Sequence, residues 1–523
     1  MAKKFICNEE PIVMTKAGQV RGYVLDGTYT FHGIKYADAQ RFQMPQPVAP
    51  WEGIKDATSY GFVCPLMNQE VPNGEIMVPH RYWPQNEHCQ YLNVWSQSLD
   101  PNAKKPVLVW LHGGGFSAGS SIEQVAYEGE NMSKHGDVVV VSINHRLNVL
   151  GYLDLSPFGE KYANSANAGS ADMVAALQWI HENIAAFGGD PENVTLFGQS
   201  GGGMKVWTLM NTPAADGLFH KGVVQSGVID GLGFGVTDEE PKPQNGKAIV
   251  TAIMAELGVD NVEALETVPY QQLADAYNKV AMPLRMTGEY VGGNPMANEW
   301  YVGDPRQVGF TDHAKTIPVM IGTVLAEFAF GTPKFSKYDK TEEELTEMIS
   351  AKYGAENTEK LVSLFKAAYP GKNLFDLTSL DTMFRAPSMD FIAKAAEVDM
   401  AVYSYIFAYD FPIYGGKAAW HCSEIPFVFR NTELVPVCNE PGVSDKLEEQ
   451  IFSAWVNFAR HGNPGNPALP DWPACKPGDE ATMIFDKVCE VRHNHDAELI
   501  PLLKEVTPPF VFGAPSDDNP IQH

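Results

Sequence analysis

The stretch FGQSGGG, residues 197–203, sets one serine among four glycines. Each glycine costs a helix about 1 kcal/mol against alanine. Even so, GGMKVWTLMN (202–211) reads as a helix, and NVTLFG (193–198) before it reads as a short buried strand. The pattern is a strand, a sharp turn carrying Ser200, and a helix. Glycines are needed at such a turn only where other backbone comes too close for a side chain.

The same alternation runs through the chain. PVLVWL (106–111), DVVVVSIN (137–144), KGVVQSG (221–227), TIPVMIG (316–322) and VYSYIFAYD (402–410) read as buried strands. ADMVAALQWIHENIAAF (171–187) places Val174, Leu177, Ile180 and Ile184 on one helical face, with GGDP as its stop. DKLEEQIFSAWVNFARHG (445–462) is a helix ended by glycine. Strands separated by helices predict an α/β fold with a central, mostly parallel twisted sheet and helices on both faces. GQVRGYVLDGTYTFHGIKYA, within residues 11–60, predicts a small N-terminal antiparallel sheet with turns at Asp-Gly and His-Gly. No Gly/Ser or Pro linker divides the chain, so residues 1–523 read as one domain. Residues 335–400 read as a helical cap or side layer within it.

Composition narrows the function. The net charge of -26 repels phosphate backbones, which argues against nucleic acid as a partner. MAKKFICNEEPIVMTKAG lacks the apolar run of a secretory leader, and DDNPIQH is no retrieval sequence. No stretch reaches the roughly 18 apolar residues of a membrane span. Seven cysteines are sparse and odd in number, which predicts a reducing, cytoplasmic setting. On that reading the Asn-x-Ser/Thr matches at Asn131 and Asn193 carry no glycan. No H-E-x-x-H or clustered Cys/His spacing suggests a metal, and no cofactor motif is present.

Gly198-Gln199-Ser200-Gly201-Gly202, between a strand and a helix, has the setting of a nucleophile elbow. A phosphate-binding turn would need G-x-G-x-x-G or G-K-[ST] spacing, which is absent. A serine hydroxyl needs a base to take its proton, and its tetrahedral intermediate needs N–H donors. HGGGF (112–116) follows a predicted strand and offers N–H groups unhindered by side chains. His112 reads as structural.

These motifs together resemble the type-B carboxylesterase and cholinesterase family of α/β-hydrolases. QYLNVW (90–95), HGGGFSAGS (112–120), NHRLNVLGYL (144–153), ALQWIHENIAAFGGDPENVTLFGQSGGG (176–203), QSG (225–227), HCSEIPFVF (421–429) and WVNFARHGNP (455–464) carry the likeness. It implies a Ser-Glu-His triad of Ser200, Glu327 and His421, with the N–H groups of Gly114, Gly115 and Gly201 as oxyanion hole. It implies hydrolysis of small-molecule carboxylic esters through an acyl-enzyme. Glu327 is the only acid in VMIGTVLAEFAFG (319–331); by pattern alone it reads equally as a helix-start acid. A catalytically silent adhesion protein of the same fold and an amidase on the same triad are the alternatives. Arg41 with Glu87, and Arg146 with Asp172, match family ion pairs.

The chain departs from the family at several places. Gln199 replaces the usual acid before the serine, which disfavours a cationic substrate, and Gly201 replaces alanine. Cys422 stands where a glycine or other small residue is common; it reads as a buried apolar side chain rather than a redox thiol. Family members place a glycine after the acid, where Phe328 stands here. RMTGEYVGGNPMANEWYVGDP (285–305) does not match the stretch that shapes the family's acyl pocket. Cys64 and Cys89 occupy a disulfide position of secreted relatives and are expected to be reduced here. Trp83 lies between them at a spacing unlike the cation-binding tryptophan of cholinesterases.

Overall fold

The computed structural model describes residues 3–6, 10–68, 78–230, 244–329 and 335–507. The C-terminal DDNPIQH, parts of the N-terminal stretch and the end of the 319–331 segment lie outside the described residues. The chain forms two compact units. The first takes in residues 1–74, 80–221 and 234–314, and the second 75–79, 222–233 and 315–523.

The first unit contains β1 (Phe5–Ile6), β2 (Ile12–Met14), β3 (Gln19–Arg21), β4 (Tyr23–Leu25), β5 (Thr28–Lys35), β6 (Ile54–Asp56), β7 (Tyr91–Ser96), β8 (Lys105–Leu111), β9 (Val139–Ile143) and β10 (Gly189–Gln199). Seven of these pair in the order β1-β4-β5-β7-β9-β8-β10. The neighbours β8–β9 and β8–β10 are parallel, and the rest of this order is antiparallel. Val107 to Leu111 of β8 are all fully buried, which is why that strand reads as an unbroken apolar run. The separate sheet β2-β3-β6 pairs β2–β3 antiparallel and β3–β6 parallel.

Asp26 and Gly27, both at positive φ, make the two-residue turn between β4 and β5. His32-Gly33 is not a turn. It lies inside β5, where Gly33 (φ +68) sits at a register shift between Phe31 and Ile34. A Cβ on Gly33 would come within 2.5 Å of the Ser59 carbonyl oxygen, so close backbone, not chain reversal, explains that glycine.

Helix α1 (Ala168–Asn183) continues as a 3₁₀ turn, Ile184–Phe187, and stops at Gly188 with φ +79. Its predicted apolar face is buried. Gly189 already begins β10. Helix α2 (Gly201–Met210) follows β10 directly. Helices α3 (Lys247–Leu257) and α4 (Tyr270–Met286) bury Ile249, Ile253 and Leu273 with Phe42 and Leu153.

The second unit contains β11 (Lys221–Gln225) from its second residue on, β12 (Val319–Val324), β13 (Val402–Phe407), β14 (Ala481–Phe485) and β15 (Glu490–His493), paired in that order. The first four are mutually parallel and β15 is antiparallel. The 335–400 region is helical as expected, with α5 (Glu342–Tyr353), α6 (Ala355–Ala368) and α7 (Arg385–Glu397). Leu345, Ile349, Leu361 and Phe365 from α5 and α6 join a core cluster with Ile406 and Ile484 of β13 and β14. Helix α8 (Ser444–His461) ends at Gly462, φ +71. Among the described residues no helix is long and apolar enough to cross a membrane.

Candidate active site

In the first unit, β10 ends at Gln199 and α2 begins at Gly201. Ser200 joins them at φ +57, ψ −125, and its hydroxyl makes no helix-capping bond. An L-residue in this region costs about 1–2 kcal/mol, a strain that surrounding packing must hold. The packing is severe. A Cβ on Gly202 would lie 1.9 Å from the Leu111 carbonyl oxygen, and one on Gly198 would lie 2.5 Å from the carbonyl carbon of Gly202. The positions two before and two after Ser200 therefore exclude any side chain.

Strand β8 runs out at Leu111, and the chain turns through Gly113, Gly114 (φ +83) and Gly115 (φ +61). A Cβ on Gly201 would meet the nitrogen and oxygen of Gly115 at 2.3 Å; one on Gly113 would lie 3.5 Å from Ser200 Cβ. The glycine turn thus packs directly on the elbow. It also explains Gly201, since alanine there would push the turn away. Gln199 is buried, and its amide oxygen lies beside Gly113. His112 is buried, stacks on His145 with ring centroids 5.1 Å apart, and pairs through Nδ1 with the Gly113 carbonyl at 2.9 Å. Burial holds its pKa well below the usual imidazole value, consistent with a structural role.

In the second unit, Glu327 lies in the turn after β12 rather than at a helix start. Its Oε1 accepts the Val324 N–H at 3.0 Å, and its Oε2 accepts His421 Nδ1–H at 2.5 Å. The His421 N–H donates to the Glu327 carbonyl at 2.7 Å, and the Ala326 N–H to Ala419 at 2.9 Å, so two backbone segments clip the pair together. Glu327 is 1% and His421 7% exposed. The bond through Nδ1 leaves Nε2 as the basic nitrogen of the neutral ring. Phe328 stands where the family glycine was missed, and it and Phe384 each stack 5.2 Å from the imidazole.

Two further carboxyls, which sequence reasoning missed, belong to this environment. Asp381 accepts the N–H groups of Met383, Phe384 and Arg385. Glu424 accepts from Gln225 Nε2 at 3.1 Å. Burial, reinforced by the charge of Glu327, pushes both up to about 7. Glu424 stood inside HCSEIPFVF, three residues past His421, where its spacing was a clue. Asp381 had no local mark. Cys422 is buried at φ +73, which accounts for the preference for a small residue there.

The expected ion pairs form. Arg146 grips Asp172 through Nε and Nη2, at 2.9 and 2.7 Å, with both side chains buried. Arg41 does the same with the half-exposed Glu87. Cys64 and Cys89 are buried free thiols; the Leu147 N–H donates to Cys64 Sγ at 3.2 Å, and burial pushes the Cys89 thiol up. Trp83 packs edge-on to Tyr60, with centroids 5.5 Å apart. A cavity of about 220 Å³ in the first unit is lined by Met67, Val149, Leu153, Val291, Tyr152 and Tyr277, with Asn278 as a polar member. Ser117 and Asn148 on its wall join it to the glycine turn: Ser117 N–H donates to Gly114, and Asn148 N–H to Phe116.

A strained serine between parallel strand and helix, under a glycine turn, is the architecture of an α/β-hydrolase. Residues 9–499 match the model of the carboxylesterase family. The chain is 30% identical over 502 residues to para-nitrobenzyl esterase of Bacillus subtilis, covering 93% of this chain and 97% of that one. It is 32% identical over 504 residues to phenmedipham hydrolase of Pseudarthrobacter oxydans, covering 92% and 96%. Among solved structures, an esterase from Clostridium hathewayi that can hydrolyse aliphatic aromatic polyesters superposes with a TM-score of 0.92 at 55% identity, covering 97% of this chain and all of that one. The chain belongs to the carboxylesterase family and is a carboxylic ester hydrolase.

Proposed function

We propose that Ser200, His421 and Glu327 act as one triad that cleaves uncharged carboxylic esters through an acyl-enzyme. The observation that carries this reading is the buried Glu327–His421 pair, bonded through Nδ1. His421 Nε2 takes the Ser200 hydroxyl proton as Oγ attacks the carbonyl carbon. The N–H groups of Gly114, Gly115 and Gly201 receive the oxyanion. On collapse the C–O bond to the alcohol breaks, and Nε2 returns its proton to the leaving oxygen. Water then repeats the sequence on the acyl-serine, releasing the acid and restoring Ser200. Glu327 orients the imidazole and stabilises its cation. No step calls for a metal or cofactor.

The cavity beside the glycine turn suits an uncharged ring or short chain, since apolar cavities of about 150 Å³ already take benzene. Gln199 adds no negative charge near the elbow, which favours neutral substrates. The 55% identity to the Clostridium hathewayi esterase supports a second reading, that esters of aromatic diacids are accepted. The sparse cysteines fit a cytoplasmic enzyme.

The test is hydrolysis of p-nitrophenyl esters from acetate to decanoate, with dimethyl terephthalate alongside, by wild type and Ser200→Ala. Turnover abolished by the substitution supports the triad. Activity that survives it refutes Ser200 as nucleophile. An inert wild type would favour the binding protein, and cleavage of anilides at rates near those of esters would favour the amidase.

A further inference from the structure

Strand pairing on β8 stops at Leu111, opposite Gly198 and Ile143, so the His112 carbonyl has no ladder partner. It accepts instead from Lys205 Nζ at 2.8 Å. Lys205 is on α2, five residues past Ser200, and is fully buried. A buried amine is costly, and an apolar side chain would fill the same space at less expense. Its surroundings only partly compensate. Glu123 and Cys64 favour its charge, while burial outweighs them and pushes its pKa down to about 7. His112 and His145, the titratable rings on the neighbouring segments, are both held neutral by burial and by this lysine. Glu123 Oε1 and His112 Nδ1 converge on Gly119, at 3.1 and 2.8 Å from where its Cβ would stand.

The turn that Lys205 touches has three successive glycines and no side chains with which to hold itself. Its far end is pinned by Asn148, whose N–H donates to Phe116 and whose Nδ2 donates to Ser117. Its near end is pinned by the lysine. The His112 C=O lies in one rigid plane with the Gly113 N–H, so holding that oxygen fixes the peptide plane from which the Gly114 and Gly115 N–H groups follow. Because Lys205 and Ser200 share one helix and its start, the nucleophile and the donors share one frame.

Building on the triad and oxyanion hole proposed above, we propose that Lys205 is a positioning residue of the oxyanion turn: its buried amino group holds the His112 carbonyl and thereby aims the N–H groups that follow. Oxyanion donors act through preorganisation, and loss of a whole donor costs about 10²–10³ in kcat. Loosening the turn costs less.

The experiment compares wild type, Lys205→Met, Lys205→Gln and Ser200→Ala on p-nitrophenyl butyrate. It also measures inhibition by an aryl trifluoromethyl ketone, whose serine adduct carries an oxyanion, and the thermal midpoint. In Lys205→Met, kcat falls roughly 10- to 100-fold with KM within about threefold. Affinity for the ketone falls by the same factor as kcat/KM, and the midpoint does not drop. Lys205→Gln, which keeps a neutral donor, recovers part of the loss, and it decides the matter alone should Lys205→Met fail to fold. Unchanged kcat and ketone affinity overturn the proposal. So does a loss confined to KM and midpoint, which would mark the lysine as merely structural. An inert wild type would overturn the esterase mechanism itself; an active wild type indifferent to Lys205 overturns only the role given to the lysine.

Discussion

Ser200 stands at φ +57 between glycines on which no Cβ fits, whereas Glu327 and His421 sit outside the left-handed region but bury their acid and base beside two more carboxyls. The proposed nucleophile is thus prepared by sterics and the proposed acid–base pair by electrostatics. The difference follows from what each group must do. A hydroxyl must be presented on a turn that leaves its approach open, so backbone shape matters most. An imidazole must be oriented and must become cationic in the transition state, so the field around it matters most.

The largest expected effect is on the electrostatic side. Glu327→Gln or His421→Ala lowers kcat by about 10³-fold or more while the protein stays folded. Near-full activity in either variant, measured on the same p-nitrophenyl ester, would remove that residue from the mechanism. On the steric side, Gly202→Ala forces a methyl to within 1.9 Å of the Leu111 oxygen and should cost at least about 3 kcal/mol in urea unfolding. Gly27→Ala is the matched control. It has φ +88 with no atom within 4 Å of its Cβ, and should cost only about 1 kcal/mol. Gly202 has no positive φ, so equal losses would mean that its close contact costs no more than the left-handed backbone at Gly27.

The third prediction concerns pH. Glu424 ionises at about 4.5 when unfolded and at about 7 when folded. Its contribution to stability is therefore fully present below about 4.5 and is lost as pH rises through about 7. Glu424→Gln keeps an oxygen for Gln225 and removes the titration, so stability should fall less steeply between pH 5 and 8 than in wild type. Asp381 remains and keeps part of the slope. Superimposable pH–stability curves would show that the Glu424 carboxyl is not held protonated. The smallest effect is at Cys422, φ +73. Glycine relieves strain but loses packing and should stay within about 1 kcal/mol of wild type, whereas β-branched Cys422→Val should cost more than about 2 kcal/mol. Equal effects of the two would mean that backbone conformation does not limit the residue at this position.

These contrasts track how legible each part was. The elbow could be read because strand, turn and helix are local, and a glycine's cost in a helix is visible without coordinates. His32-Gly33 shows the limit of that reading: a glycine demanded by a distant carbonyl, Ser59, looks the same in sequence as one demanded by a hairpin. Glu327 and His421 were found by family likeness, since their spacing follows no helix or strand period. Asp381 and Lys205 escaped because nothing adjacent to either in the chain resembles its partner in space.

Neighbours along the chain account for the alternation of buried strands and helices and for the strand–turn–helix that carries Ser200. The glycines around that turn are legible in the sequence, but what makes them necessary, the backbone of Leu111 and Gly115, is distant along the chain. Tertiary structure alone decided that His421 Nδ1 meets Glu327, that Asp381 and Glu424 titrate near neutrality beside that pair, and that Lys205 points at the His112 carbonyl. The physical reason is that desolvation and hydrogen-bond geometry depend on what is near in space, and each of these residues meets its partner only when distant segments pack.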